Sequence, residues 1–137
     1  MTIVRFDYKK IRGTYQPIIT IGINFSHCWV PLEAYVDSGA EYTVIEAGIA
    51  ESMGFDYRQG KKIYVKVGDG SLIPVYLNSL NVQLGAVRSL CRVGFSDRLN
   101  VNMNILGKTD IFDKFEICFL QSQHRLTFTE IPENSEN

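Results

Sequence analysis

The stretch Ala34-Tyr35-Val36-Asp37-Ser38-Gly39-Ala40 places a carboxylate directly after an apolar run and directly before a Ser-Gly turn. The run from Trp29 to Val36 predicts a strand, and a glycine after it lets main chain approach a ligand closely. Asp37 is therefore predicted to lie at the end of a buried strand, in a place where a carboxylate can take part in chemistry. The tripeptide Asp-Ser-Gly also fits an Asx-type turn, in which the aspartate side chain bonds its own main chain.

Short alternating segments surround this stretch on both sides. Further strands are predicted at residues 17–25, 62–67, 71–77, 81–84, 89–93, 116–120 and 125–129. Ile45, Ile49 and Met53 lie on one helical face, which predicts a helix of about two turns. Residues 108–114 predict a second short helix. The chain is thus predicted to be all-β with one or two short helices.

A tight hairpin is predicted at Gly68-Asp69-Gly70, because an Asp-Gly pair tolerates the positive φ of such turns. Pro74 cannot donate a ladder hydrogen bond, so the returning strand should be an edge strand, at least locally. Asp69 fits the role of an ordinary turn residue. Further along the chain, Ile105-Leu106-Gly107 is an apolar pair ended by a glycine.

Composition excludes several classes of protein. The 137 residues are close to the usual size of one domain, so residues 1–137 are interpreted as a single domain with a polar tail at 130–137. The formal net charge is -1, without the basic excess of a nucleic-acid binder. Neither a membrane-spanning apolar run nor a leader-like h-region is present, so a cytoplasmic location without membrane contact is expected.

The cysteines and histidines do not form a recognisable site. Three cysteines lie far apart in the chain, at Cys28, Cys91 and Cys118. An odd number without a CxxC pair predicts neither a disulfide framework nor a metal site, but reduced and mostly buried thiols. Ser38 could be paired with His27 or His124 as a nucleophile and base, but the GxSxG turn that would favour this is missing.

Taken in order, four of these motifs resemble the retropepsins, the single-domain aspartic proteases of retroviruses, and their cellular relatives. The resemblance covers residues 16–129. It rests on Asp37-Ser38-Gly39-Ala40 after a strand, Thr43-Val44-Ile45 leading into a helix, the hairpin Val67-Gly68-Asp69-Gly70-Ser71, and Ile105-Leu106-Gly107 before a closing strand pair. Residues 1–15 lie outside the match, and the segment 85–103 is longer than a minimal retropepsin needs.

The resemblance implies that the all-β chain is a small closed β-barrel of the retropepsin type. It also implies an aspartic endopeptidase that acts on peptides or proteins as a homodimer, without metal or cofactor. Asp37 of each copy would meet at a two-fold axis and activate a water. Ser38, Gly39 and Ala40 would support the catalytic loop, and terminal strands would pair across the dimer. The remaining roles implied are a flap over the substrate, Val67, Gly68, Asp69, Gly70 and Ser71, and a buttress for the loop, Ile105, Leu106 and Gly107.

Two other functions stay open at the level of the sequence. One is a catalytically weak or inactive retropepsin-like module for dimerisation or peptide binding, because a fold does not fix a function. The charges of Glu41 and Asp69 close to the site favour this alternative. The other is an unrelated small β-barrel binding module, which a stable monomer would favour.

Overall fold

The computed structural model describes residues 2–99 and 103–132. Within these ranges the strands, in chain order, are β1 (Ile3–Asp7), β2 (Lys9–Ile11), β3 (Thr14–Gln16), β4 (Ile18–Phe25), β5 (Cys28–Val36), β6 (Thr43–Glu46), β7 (Lys61–Lys66), β8 (Leu72–Leu84), β9 (Val87–Ser96), β10 (Asn104–Leu106), β11 (Phe115–Leu120) and β12 (Arg125–Glu130). An α-helix, α1 (Ala47–Ser52), follows β6, and 3₁₀ turns span Tyr57–Gln59 and Gln121–Gln123. Most of the predicted polar tail, residues 133–137, lies outside the described residues, as does the 100–102 part of the segment 85–103.

The central sheet closes on itself. Its strands follow the order β4-β5-β10-β6-β9-β8-β7, and an additional pairing joins β4 to β8. That pairing joins Gly22 to Gln83 and Ile23 to Val82. It closes six of the seven strands of this sheet into a ring, and β7 pairs with β8 outside the ring. The predicted all-β fold with a closed sheet is therefore confirmed.

The main core fills the inside of this ring. Alternate residues of β4 point inward, as the two-residue period of a strand requires. These are Ile19, Ile21, Ile23 and Phe25, none more than 4% exposed. Phe95 of β9 is fully buried beside them and contacts the rings of Phe25, Phe55 and Tyr57.

A second, smaller core lies under the hairpin of β7 and β8. Its buried members are Val44, Ile73, Val75 and Leu99. The long strand β8 serves both cores: Ile73 and Val75 belong to the smaller one, whereas Leu80 and Val82 belong to the main one. Buried positions therefore change from odd to even numbers along β8, and the β7–β8 hairpin packs separately from the ring.

The chain ends form their own three-stranded sheet, in the order β1-β12-β11. β12 lies in the middle, so both of its edges are paired within one chain. The β2–β3 hairpin packs nearby, because Tyr15 stacks on His124 at 3.7 Å between ring centroids. Tyr8 is 6% exposed and belongs to the main core, although residues 1–15 lie outside the resemblance. The resemblance implies that terminal strands pair across a dimer. β12 has no edge left for such a pairing, because β1 and β11 occupy both of its edges.

One of the two predicted helices differs from the structure. Residues 108–114 form successive turns, because Asp110 has a φ of 66° that a regular α-helix does not accept. The helix predicted after Thr43-Val44-Ile45 is present as α1, which begins at Ala47, and Thr43–Glu46 is a strand paired with β9. The Glu46 side chain then caps α1 by accepting a hydrogen bond from the Gly48 amide.

Pro74 lies where β8 is paired on one side only. It is opposite Tyr64 of β7, whereas the ladder to β9 starts at Tyr76, so the edge character expected of Pro74 is confirmed locally. The cysteines are free thiols as predicted, but Cys28 and Cys118 are exposed and only Cys91 is buried. The expectation of mostly buried thiols is therefore wrong, because Cys28 and Cys118 lie on strand positions that face away from a core. No helix in the described ranges has the length and apolar character needed to cross a membrane.

Phe128 joins the terminal sheet to the main core, and its removal should be costly. It is fully buried and makes edge-to-face contacts with Phe6 and Phe115. Phe128→Ala is expected to lower the free energy of unfolding by about 3–5 kcal/mol, the usual loss for a buried Phe. Urea denaturation followed by tryptophan fluorescence measures this loss. Phe119→Ala is the matched control, because Phe119 is 40% exposed. Equal losses for the two variants would contradict this account of the core.

Candidate active site

Asp37 follows the last residue of β5 and begins a tight loop. Its amide donates to the Leu106 carbonyl at 3.0 Å, which fixes the start of the loop against β10. Its Oδ1 accepts a hydrogen bond from the Gly39 amide at 2.8 Å, and the Ala40 amide donates to the Asp37 carbonyl at 3.2 Å. The Asx-type turn is therefore present. It holds a half-buried carboxylate by one of its two oxygens, while Ser38 and Gly39 are exposed.

Gly107 holds the other side of this loop in place. Its amide donates to Thr43 Oγ1 at 3.0 Å, and both residues are buried. A Cβ on Gly107 would overlap the main-chain carbonyl of Tyr42, so only glycine allows the two chain segments to come this close. Leu106 is fully buried in the main core, and Ile105 is partly buried beside the smaller core.

Asn104 bridges the strands on either side of β10. Its Nδ2 donates to the Glu33 carbonyl of β5 at 2.9 Å, and its Oδ1 accepts from the Glu46 amide at the end of β6 at 2.9 Å. The side chain therefore satisfies main-chain groups of both strands that border the Asp37 loop. Sequence analysis missed this role; a polar residue opening the apolar run at 105–106 was the signal that could have found it.

A groove of about 740 Å³ lies between the Asp37 loop and the β7–β8 hairpin. Several residues predicted for the site line it: Asp37, Gly39, Ala40, Val67, Gly68, Asp69 and Ile105. Others predicted for the site do not: Ser38, Gly70, Ser71, Leu106 and Gly107. The groove therefore brings together the Asp37 loop and the hairpin tip, which lie about 30 residues apart in the sequence.

Most of the groove wall is apolar and was missed by sequence analysis. The additional lining residues are Glu41, Tyr42, Val44, Tyr64, Val65, Lys66, Ile73 and Leu99. Val65 and Ile73 face each other across the β7–β8 ladder. Their alternation with exposed Tyr64 and Lys66 was the signal that could have assigned them to the inner face of the hairpin.

The hairpin tip is closed by its own hydrogen bonds. The Val67 amide donates to the Ser71 carbonyl at 2.9 Å, and the Gly70 amide donates to the Val67 carbonyl at 2.8 Å. Asp69 Oδ1 accepts from the Ser71 hydroxyl and from the Ser71 amide. These bonds hold the pKa of Asp69 below its ordinary value. The charge of Asp69 is therefore used within the turn, as its interpretation as a turn residue predicts.

Three carboxylates line the groove, and two of them have partners elsewhere. Glu41 Oε2 lies 3.9 Å from Lys108 Nζ, and Asp69 is bonded to Ser71. Asp37 is the third, held by the Gly39 amide alone among the hydrogen bonds described. Within residues 2–99 and 103–132, no group of three His, Cys, Asp or Glu side chains is placed to hold a metal ion.

Solved structures with this arrangement of strands are known. The chain is similar to a retropepsin-like aspartic protease from Rickettsia conorii, with a TM-score of 0.61 and 16% identity over 93% of this chain and 91% of that one. It is also similar to the EIAV protease complexed with the inhibitor HBY-793, with a TM-score of 0.54 and 18% identity over 75% of this chain and 91% of that one.

The chain has the retropepsin fold. The retropepsin-like interpretation of the sequence is thereby confirmed for the fold, over most of the chain. No protein-family model and no curated protein matches the sequence. At 16–18% identity these similarities show the fold alone, because a fold does not fix a function.

Gly107 should tolerate no side chain. Gly107→Ala is expected to lower the free energy of unfolding by about 1–3 kcal/mol, because the added methyl overlaps the Tyr42 carbonyl and forces the main chain apart. Thermal unfolding measures the loss. The control is Gly68→Ala at the hairpin tip, where an added Cβ meets nothing within 4 Å. A stable Gly107→Ala protein would show that the packing of this loop is looser than described.

Proposed function

We propose that this protein is an aspartic endopeptidase, which hydrolyses peptide bonds at a site built from Asp37 of two copies of the chain. The observation that supports this most is the position of Asp37, half-buried at one wall of a groove of about 740 Å³ with a retropepsin hairpin opposite. Peptide hydrolysis by this route needs a carboxylate pair and a water, and neither a metal nor a cofactor.

The groove fits an extended peptide chain. Its walls are mostly apolar, which suits the side chains of a polypeptide. The hairpin above it is attached to the ring through β8, which leaves β7 at the edge of the sheet. We infer that this hairpin is the flap, with Val67 and Gly68 at its tip closing over the bound peptide and excluding water.

The second carboxylate has to come from a second chain. Glu41 lies 3.9 Å from Lys108 and Asp69 accepts hydrogen bonds within its own turn, so neither is paired with Asp37 in the single chain. A two-fold axis beside the Asp37 loop would bring the same residue of the partner into contact. Ser38, exposed in the single chain, then lies where it can bond across the axis.

Two aspartates in contact carry one proton between them, because two negative charges at this separation repel strongly. The ionised Asp37 takes a proton from a water as that water attacks the scissile carbonyl carbon. The protonated Asp37 of the other copy gives its proton to the carbonyl oxygen. The tetrahedral intermediate then collapses and the C–N bond breaks. The leaving nitrogen takes the proton that the first Asp37 received from the water, and the ionised Asp37 of the other copy takes a proton from a hydroxyl of the intermediate, which restores the pair. No bond between enzyme and substrate forms.

A second candidate is a dimeric peptide-binding module with little or no cleavage. The Asx-type turn of Asp37 favours it, because the carboxylate already has a structural role there. We retain the peptidase as the better proposal, since a pure binding groove gains nothing from bringing two carboxylates together.

We further infer one domain, because the main core includes residues from Tyr8 to Phe128. A cytoplasmic location fits the free thiols Cys28, Cys91 and Cys118.

Replacing the carboxylate tests the mechanism directly. Asp37→Asn is expected to lower peptide cleavage by at least about 10²–10⁴-fold, because both the base and the acid are lost. Cleavage of a peptide library, at high protein concentration and from acidic to neutral pH, measures this. Asp69→Asn is the matched control, since it removes a groove carboxylate that the mechanism does not use. An Asp37→Asn protein that cuts at the wild-type rate would refute the mechanism.

The requirement for two copies gives an independent test. Sedimentation equilibrium of the wild-type protein is expected to show a dimer that forms at the concentrations where cleavage appears. Asp37→Asn should leave that dimer intact, because the change preserves the shape of the loop. Cleavage by a protein that sediments as a monomer at every active concentration would exclude the shared site. A dimer that binds peptides without cutting them would favour the second candidate.

A further inference from the structure

The segment 107–115 is the chain that lies directly behind the Asp37 loop. Its Lys108 amide donates to the Ala40 carbonyl at 2.9 Å, and its Thr109 amide donates to the Glu41 carbonyl at 2.9 Å. These two bonds fasten the far end of the Asp37 loop. The position of Asp37 therefore depends on where this segment is held.

The opposite side of the same segment is bonded to β9. Asp110 Oδ2 accepts from both the amide and Nε of Arg92, at 2.9 Å each, and Oδ1 accepts from Arg92 Nη2 at 3.3 Å. Lys114 Nζ adds hydrogen bonds to Ser89 Oγ at 2.8 Å and the Leu90 carbonyl at 2.9 Å. Charge-assisted bonds with this two-point geometry are the stronger kind.

The backbone at Asp110 explains why this segment depends on its bonds to β9. The Arg92–Asp110 pair is called the clamp below. Asp110 has a φ of 66°, which a regular α-helix does not accept, so residues 108–114 form turns and not a continuous helix. The bonds within these turns go to two carbonyls, those of Lys108 and Ile111, so bonds to neighbouring elements contribute to holding the segment. Asp110 is also the residue whose side chain bonds to Arg92. The same residue therefore prevents the regular helix and ties the segment to β9.

We propose that the Arg92–Asp110 pair positions the Asp37 loop, acting through the segment 107–115. Asp110 and Arg92 are positioning residues and touch no substrate. The importance of this pair for catalysis rests on the proposed peptidase function, whereas its effect on the loop does not.

The pair also gives the loop a dependence on pH. Hydrogen bonds from Arg92 are the main cause that lowers the pKa of Asp110, burial opposes them, and the charges of Arg92 and Lys114 add to the lowering. Asp113 and Tyr42 are the other titratable groups that influence Arg92, and the buried Cys91 lies beside Asp110. A carboxyl whose pKa is lowered on folding stabilises above its ordinary pKa and loses that effect as pH falls through the lowered value. The clamp should therefore hold at neutral pH and open in acid.

Amide hydrogen exchange, expressed as protection factors, tests the proposal without any substrate. Asp110→Asn keeps an acceptor oxygen and a residue type that tolerates positive φ, but removes the charge; Arg92→Gln removes the other partner. Both variants are expected to lower protection of the Lys108 and Thr109 amides by about tenfold at neutral pH. In the wild type the same loss should appear on acidification, and in Asp110→Asn that acid step should be absent.

The control variant is Asp7→Asn, which removes the carboxylate of another surface ion pair, 3.8 Å from Arg125. The reference amides are those of β4. Unchanged protection at Lys108 and Thr109 in Asp110→Asn would overturn the proposal. A uniform loss that includes β4 would overturn it too, because it would show a general effect on stability.

Cleavage kinetics connect the clamp to catalysis. If wild type cleaves peptides, Asp110→Asn should lower kcat with KM unchanged and should flatten the acid limb of the pH profile. A rise in KM with kcat unchanged would contradict a role in placing Asp37. If wild type cleaves nothing, the peptidase proposal fails while the exchange experiment still decides the role of the clamp.

Discussion

Main-chain hydrogen bonding around β10 is the constraint on which the site depends. This strand has three residues, yet it pairs in parallel with β5 and in antiparallel fashion with β6, the two strands that border the Asp37 loop. The Asp37 amide donates to the carbonyl of Leu106, the last residue of β10. The next residue, Gly107, donates its amide to the Thr43 hydroxyl. A short strand thus fixes both ends of a loop that has little secondary structure of its own.

The division into two cores gives the groove its character. The ring around the main core is rigid in the sense that each of its strands has neighbours on both sides. The hairpin rests on the smaller core, whose buried members among the described residues are Val44, Ile73, Val75 and Leu99. Elements with few buried apolar contacts open at a lower free energy than the rest of a protein. The hairpin wall of the groove is therefore expected to open more readily than the wall formed by the ring.

Local patterns predicted most of the strands, the hairpin at Gly68-Asp69-Gly70 and the closing strand pair, because alternation and turn residues are encoded within a few positions. The same patterns could not find Asn104 or the Arg92–Asp110 pair, since these contacts join residues far apart in the sequence. The helix predicted at 108–114 was wrong because composition does not reveal that Asp110 has positive φ. Ring closure between β4 and β8 was expected only through the resemblance, and two pairs of residues make it.

The central place of β12 in the terminal sheet has a consequence for how the protein is made. Since β1 and β11 occupy both edges of β12, the terminal sheet is completed without a strand from a second chain. If the proposed dimer forms, its assembly is then a step separate from the completion of this sheet. Single chains would lack the shared site, and the amount of complete site at low expression would rise with the square of chain concentration. The cellular concentration of the chain would then control how much of the shared site is present.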